Sequence, residues 1–86
     1  MNARSLSLSR QIISLISRTK RIPASRLSPS THLYKMLGFD IQDLVDIILI
    51  LERKFGIVIP DEVPIDTVGD LIRCVASNNP HQQAAA

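Results

Sequence analysis

Length, composition and charge limit this chain to one small domain. Its 86 residues are 45% hydrophobic and 21% charged, which fits a globular protein with a modest core. The longest apolar run, Ile47 to Leu51, is far shorter than the roughly 18 residues that span a bilayer. The lone Cys74 excludes an internal disulfide framework and a cysteine-rich zinc site, and favours a reducing compartment such as the cytoplasm.

Charge is unevenly distributed along the chain. Residues 1–39 contain seven basic and no acidic side chains, whereas residues 40–86 contain three basic and eight acidic ones. This asymmetry predicts at least one electrostatic docking surface. The three aromatic residues are too few to favour stacking on nucleic-acid bases, so nucleic acid is not the expected partner.

The first predicted element is an amphipathic helix from about Ser5 to Thr19. Apolar residues recur there at helical spacing: Leu8, Ile12, Leu15 and Ile16. We interpret residues 1–7 as an N-terminal tail, 8–78 as the domain and 79–86 as a disordered C-terminal tail. An organellar targeting segment stays open as an alternative for residues 1–19, because they are rich in arginine and serine and lack acids.

Residues 20–39 form a long first loop. Pro23 and Pro29 interrupt any long helix, and a short helical turn is expected from Leu33 to Leu37. Gly38 follows that turn at a position suited to a left-handed backbone.

The second helix has the clearest sequence signals. Asp40 suits the N-cap, Asp43 the first turn, and Gly56 the C-terminal end. A stripe at helical spacing is expected to face the core: Leu44, Ile48, Leu51 and Phe55. Additional apolar residues such as Ile47 leave two interpretations open, deeper burial or an exposed docking surface.

The remaining residues predict a connector and a last helix. Ile57 and Ile59 should insert into the core from an extended segment. Thr67 as N-cap and Asp70 three residues later resemble a capping box at the start of a helix that ends near Asn78.

Catalytic and metal-binding patterns are absent from the sequence. His32 and His81 have no ligand-like spacing, and Cys74 lies beside an apolar stripe, which favours a buried, inert thiol. We therefore expect no catalytic residue and no metal site. Asp40, Asp43 and Asp46 share one helix face, which is either a solvated cap or a negative docking surface.

One segment, LGFDIQDLVDIILILERKFGIVIPDE at residues 37–62, resembles the centre of acyl and peptidyl carrier proteins. The later TVGDLI at residues 67–72 resembles the start of the family's last helix. The resemblance implies an all-α four-helix bundle with a long first loop. Its third helix should be short or missing, because Val63 to Asp66 is brief and contains Pro64.

The resemblance also implies a changed attachment site. Family members carry 4′-phosphopantetheine on a serine after the aspartate that opens the second helix, and Ile41 occupies that position here. Isoleucine has no hydroxyl for a phosphodiester, so we expect no phosphopantetheine and no other cofactor-binding residue. Because Leu44 and Ile50 replace smaller or polar residues, we expect a filled interior.

The sequence thus favours a non-enzymatic, non-phosphopantetheinylated interaction module of a fatty-acid or polyketide-type acyl-transfer system. Its partner would be an acyl-transfer or carrier-recognising enzyme, docked on a surface at the start of the second helix: Asp40, Ile41, Asp43, Asp46 and Ile47. A regulatory or secretion-associated adaptor and a true acyl carrier with an unrecognised attachment point are the alternatives. Contact of the basic first helix with an anionic membrane or with nucleic acid is a further one.

Overall fold

Three α-helices and one 3₁₀ turn make up the fold in the computed structural model, which describes residues 3–78, with side chains from residue 8 onward. The helices are α1 (Ala3–Lys20), α2 (Ile41–Phe55) and α3 (Val68–Asn78), and the 3₁₀ turn is Ala24–Arg26. No β-strand occurs within residues 3–78, so the predicted all-α class is confirmed. None of the helices in that range is long and apolar enough to cross a membrane.

Two predicted boundaries differ from the structure or lie outside it. Helix α1 begins at Ala3, inside the segment that the sequence analysis assigns to an N-terminal tail. The predicted C-terminal tail, with His81, lies outside the described residues.

The ends of α2 and α3 follow from capping residues visible in the sequence. The Asp40 carboxylate accepts the Asp43 N–H at 2.9 Å, and the Asp43 carboxylate accepts the Asp40 N–H at 3.1 Å, which completes a capping box. Gly56 ends α2 with φ of 64°, a left-handed conformation that glycine adopts without a Cβ penalty. Thr67 and Asp70 form the same reciprocal pair at α3.

The core lies where α1 packs against α2 and α3. Helix α1 buries one apolar face, made of Leu8, Ile12, Leu15 and Ile16. Ile57 and Ile59 insert from the extended connector after α2, as predicted, and the Glu52 carboxylate holds that connector by accepting the Ile59 N–H at 2.8 Å.

The buried face of α2 is rotated by about half a residue from the predicted core stripe. Leu51 is fully buried, but its buried neighbour on the preceding turn is Ile47, whereas Leu44, Ile48 and Phe55 are half-buried. Adjacent residues differ by about 100° around a helix, so Ile47 and Ile48 point in different directions. The side with Leu44 and Ile48 turns toward the connector instead of the centre of the bundle.

The long first loop is fastened to the start of α3 by backbone hydrogen bonds. Leu33 N–H donates to Asp66 at 2.8 Å, Val68 N–H to Thr31 at 3.0 Å, and Gly69 N–H to Pro29 at 2.8 Å. Residues 33–37 form successive turns and no helix. Residues 61–66 contain a turn at 61–62 and no helix. The bundle therefore has three α-helices in the described part of the chain, in agreement with the prediction that helix III is short or missing.

Candidate functional site

The start of α2 presents an exposed apolar surface. Ile41 is the first residue of the helix, directly after the capping residue Asp40, and is 68% exposed. Val45 and Leu49 follow at intervals of four residues and are 40% and 49% exposed. Residues at this spacing lie on one helix face, so the three form a continuous apolar row (Ile41, Val45 and Leu49).

Helix α2 has more apolar residues than one buried face requires. Some of them are buried in the core, and others are exposed on a different face. Ile47, which the sequence analysis includes in the docking surface, has no exposed area and belongs to the core. It therefore cannot contact a partner while the bundle is folded. Val45 and Leu49 provide the exposed apolar area on this helix instead.

The three acids at the start of α2 are engaged within the chain. Asp40 and Asp43 bond each other's backbone N–H groups in the capping box. The second oxygen of Asp43 accepts the Lys20 ammonium at 2.7 Å, and Asp46 accepts the same ammonium at 3.2 Å. One cation from the end of α1 thus partly neutralises the predicted negative surface.

These contacts shift the pKa values of Lys20, Asp43 and Asp46. The hydrogen bond from Lys20 lowers the pKa of Asp43, and the same bond raises the pKa of Lys20. The pKa of Asp46 is also lowered, chiefly by the Gln42 amide at 2.9 Å and then by Lys20. Sequence reasoning missed Lys20 because it belongs to another helix and no local pattern marks it.

An apolar cleft lies beside the row. Its volume is about 270 Å³, and it separates α2 from the connector that follows it. Leu44 and Ile48 form one wall and Ile59 and Ile65 the other, with the Tyr34 ring at the edge. The expected filled interior is therefore wrong in this region, because the displaced stripe turns these side chains toward an open cleft.

Cys74 and His32, the other residues considered as catalytic or metal-binding candidates, both contribute to the packing of the fold. Cys74 is buried among the core residues, and burial raises the pKa of its thiol, with a smaller contribution from the Asp70 charge. A protonated, buried thiol is a poor nucleophile. His32 is half-buried and pairs through its backbone with Thr67.

Comparison of the sequence with known proteins identifies a family for this chain. The model described as "Phosphopantetheine attachment site" matches residues 10–75. The chain is 35% identical over 75 residues to the acyl carrier proteins of Helicobacter pylori strain G27 and Helicobacter acinonychis strain Sheeba, covering 85% of this chain and 96% of each relative. It is 48% identical over 44 residues to the acyl carrier protein of Wolinella succinogenes, covering 49% of this chain and 58% of that relative.

These matches overturn the expectation of a protein without a cofactor. The matched family is defined by phosphopantetheine attachment, and phosphopantetheine is therefore the group that the family implies for this chain. Ile41, the first residue of α2, has a hydrocarbon side chain that offers no oxygen for a phosphodiester. The expectation of no cofactor was wrong because it rested on Ile41 alone, whereas the family match extends over residues 10–75.

The same matches confirm the expectation of a non-enzymatic protein, since the relatives are carriers. The family model covers more than half of the chain, and the Helicobacter relatives match along nearly their whole length. The chain therefore belongs to the acyl carrier protein family.

Proposed function

We propose that this protein works as a carrier-type module of a fatty-acid or polyketide-type acyl-transfer system in the cytoplasm. It docks onto an acyl-transfer or carrier-recognising enzyme through the start of α2. The observation that carries the proposal is the apolar row, which exposes three large side chains on consecutive turns next to an apolar cleft. Exposed apolar area of this kind is stabilised when a partner covers it.

The acids at the start of α2 have a secondary role in this docking. Asp40, Asp43 and Asp46 lie beside the row, but their oxygens already bond the helix backbone, Gln42 and Lys20. Charge there orients the partner, and the apolar contact supplies most of the affinity. We further propose that Ile41 stands at the family's attachment position and contacts the partner directly.

The test uses the full chain and a fatty-acid-type ketosynthase as the probe, with affinity measured by isothermal titration calorimetry. The double variant Val45→Asp/Leu49→Asp should bind at least about tenfold more weakly, because two charges would have to be desolvated at the contact. The matched control is the double variant Met36→Asp/Val58→Asp, since these residues are 59% and 75% exposed but lie outside α2. Equal losses in both variants would contradict docking through the row.

A further inference from the structure

A second surface of the molecule is positively charged and has no role in the docking just described. Three cations, Arg10 and Arg18 from α1 and Lys54 from the end of α2, line a groove of about 230 Å³ together with Gln11 and Ser14. We refer to these five residues as the basic groove. All five side chains can donate hydrogen bonds, and no acid or large apolar side chain lines the groove.

The three cations of the basic groove form no ion pair within the described part of the chain. The ion pairs among residues 8–78 use Lys20 and Arg73, and neither belongs to the groove. Lys54 lies 6.0 Å from the Phe55 ring centroid, and all three cationic side chains are exposed. The groove therefore presents positive charge that is available to a ligand.

The spacing of the cations indicates an extended ligand. Arg10, Ser14 and Arg18 recur every four residues on one face of α1, and the two arginines are separated by about 12 Å along the helix axis. A row of negative charges at similar intervals can pair with each arginine separately, without drawing the two side chains together.

The surroundings of α1 disfavour a membrane as this ligand. A helix that binds a bilayer inserts its apolar face, but Leu8, Ile12, Leu15 and Ile16 are all buried in the bundle. Nucleic acid is disfavoured as well, because the groove contains no aromatic side chain for stacking on bases.

We propose that the basic groove binds an acidic helix of a partner protein, with carboxylates at positions i, i+4 and i+8 facing Arg10, Ser14 and Arg18. Carboxylates match guanidinium groups through paired hydrogen bonds, and two helices in contact can repeat that pairing on successive turns. The protein then has two docking surfaces of different chemistry, an apolar one on α2 and a cationic one on α1.

The test uses the full chain and a synthetic alanine-based helical peptide with glutamates at i, i+4 and i+8, titrated at low ionic strength. Arg10→Gln/Arg18→Gln should weaken binding about three- to tenfold, the range expected for two exposed ion pairs. The matched control, Arg21→Gln/Arg26→Gln, removes two exposed charges outside the groove and should change the affinity less than about twofold.

Three outcomes would overturn the proposal. They are no binding of the peptide, equal losses in the two double variants, and tighter binding of a single-stranded oligonucleotide or of phosphatidylglycerol vesicles than of the peptide. The Val45→Asp/Leu49→Asp variant should bind the peptide like the parent chain. This last measurement separates a failure of the basic groove from a failure of docking through α2.

Discussion

The Lys20 ammonium lies 2.7 Å from the Asp43 carboxylate and joins the end of α1 to the first turn of α2. Asp43 thus completes a capping box with one oxygen and an interhelical ion pair with the other. An acid that would serve a basic partner is occupied by the protein's own lysine.

Removal of this lysine should change how the protein is recognised. In Lys20→Met, Asp43 and Asp46 lose their shared cation, so we expect binding to the ketosynthase probe to tighten about two- to fivefold if its docking site is basic. The gain should shrink as salt rises, since exposed charges are screened. Affinity at low and high salt checks this prediction, with Lys20→Arg as the control that keeps the pair. Weaker binding of Lys20→Met would show that the lysine itself contacts the partner.

A hydroxyl at the head of α2 should create an attachment point there. Ile41→Ser/Gln42→Leu supplies the missing oxygen at an exposed position on an intact capping box, where a phosphate is favoured by the helix N-terminus. After incubation with coenzyme A and a broad-specificity phosphopantetheinyl transferase, we expect this variant to carry one arm on residue 41. Peptide mapping by mass spectrometry locates the arm, and the parent chain is mapped in parallel. No arm on residue 41 would argue against Ile41 as the attachment position.

Two leucines on α2 should differ sharply in their contribution to stability. Leu51 has no exposed area, so Leu51→Ala should lower the free energy of unfolding by about 2–5 kcal/mol, the range for buried leucines. Leu49 is 49% exposed, and Leu49→Ala should change it by less than about 1 kcal/mol. Urea denaturation followed by circular dichroism measures both. Similar losses would mean that the buried face of α2 is misassigned.

Gly69 should be intolerant of even a methyl group. A Cβ at this position would lie 2.8 Å from the Pro29 carbonyl oxygen, which also accepts the Gly69 N–H. Helix propensity alone favours alanine over glycine by about 1 kcal/mol. The steric clash at this position outweighs that gain, so the substitution should destabilise the protein instead of stabilising it. We expect Gly69→Ala to destabilise the protein by about 1–3 kcal/mol in the same assay. A more stable variant would contradict this prediction, because it would mean that the loop at Pro29 moves away from the new methyl group without destabilising the fold.

Acid should weaken the start of α3. Backbone N–H bonds from Asp66 and Thr67 lower the pKa of Asp70, the Asp66 bond most strongly, with Arg73 adding a smaller effect. A group with a lowered pKa in the folded state stabilises the protein above its unfolded pKa of about 3.9, and that stability is lost as the pH falls through the folded value. Asp70→Asn should therefore flatten the dependence of unfolding free energy on pH below about 5. An unchanged slope would contradict this role.

Local signals predicted the parts of the fold that depend on neighbouring residues. Asp40, Gly56 and Thr67 mark helix ends because a cap or a left-handed residue acts within a few positions. The buried side of α2 was predicted only in part. Leu51 is buried as expected, but periodicity alone does not distinguish a wall of the bundle from a wall of the cleft. The Lys20 pair and the Gly69 contact join distant segments, and nothing in the local sequence marks them.

The backbone bonds between the long loop and the start of α3 also determine when the fold can be completed. Leu33, Val68 and Gly69 donate to residues far away in sequence, so none of these bonds forms until both segments are in place. Such non-local pairing raises contact order and places loop closure late in folding. During synthesis, the loop and the core beneath it stay open until residue 69 has left the ribosome. Until then, the apolar residues that these bonds bring together are accessible to chaperones and proteases.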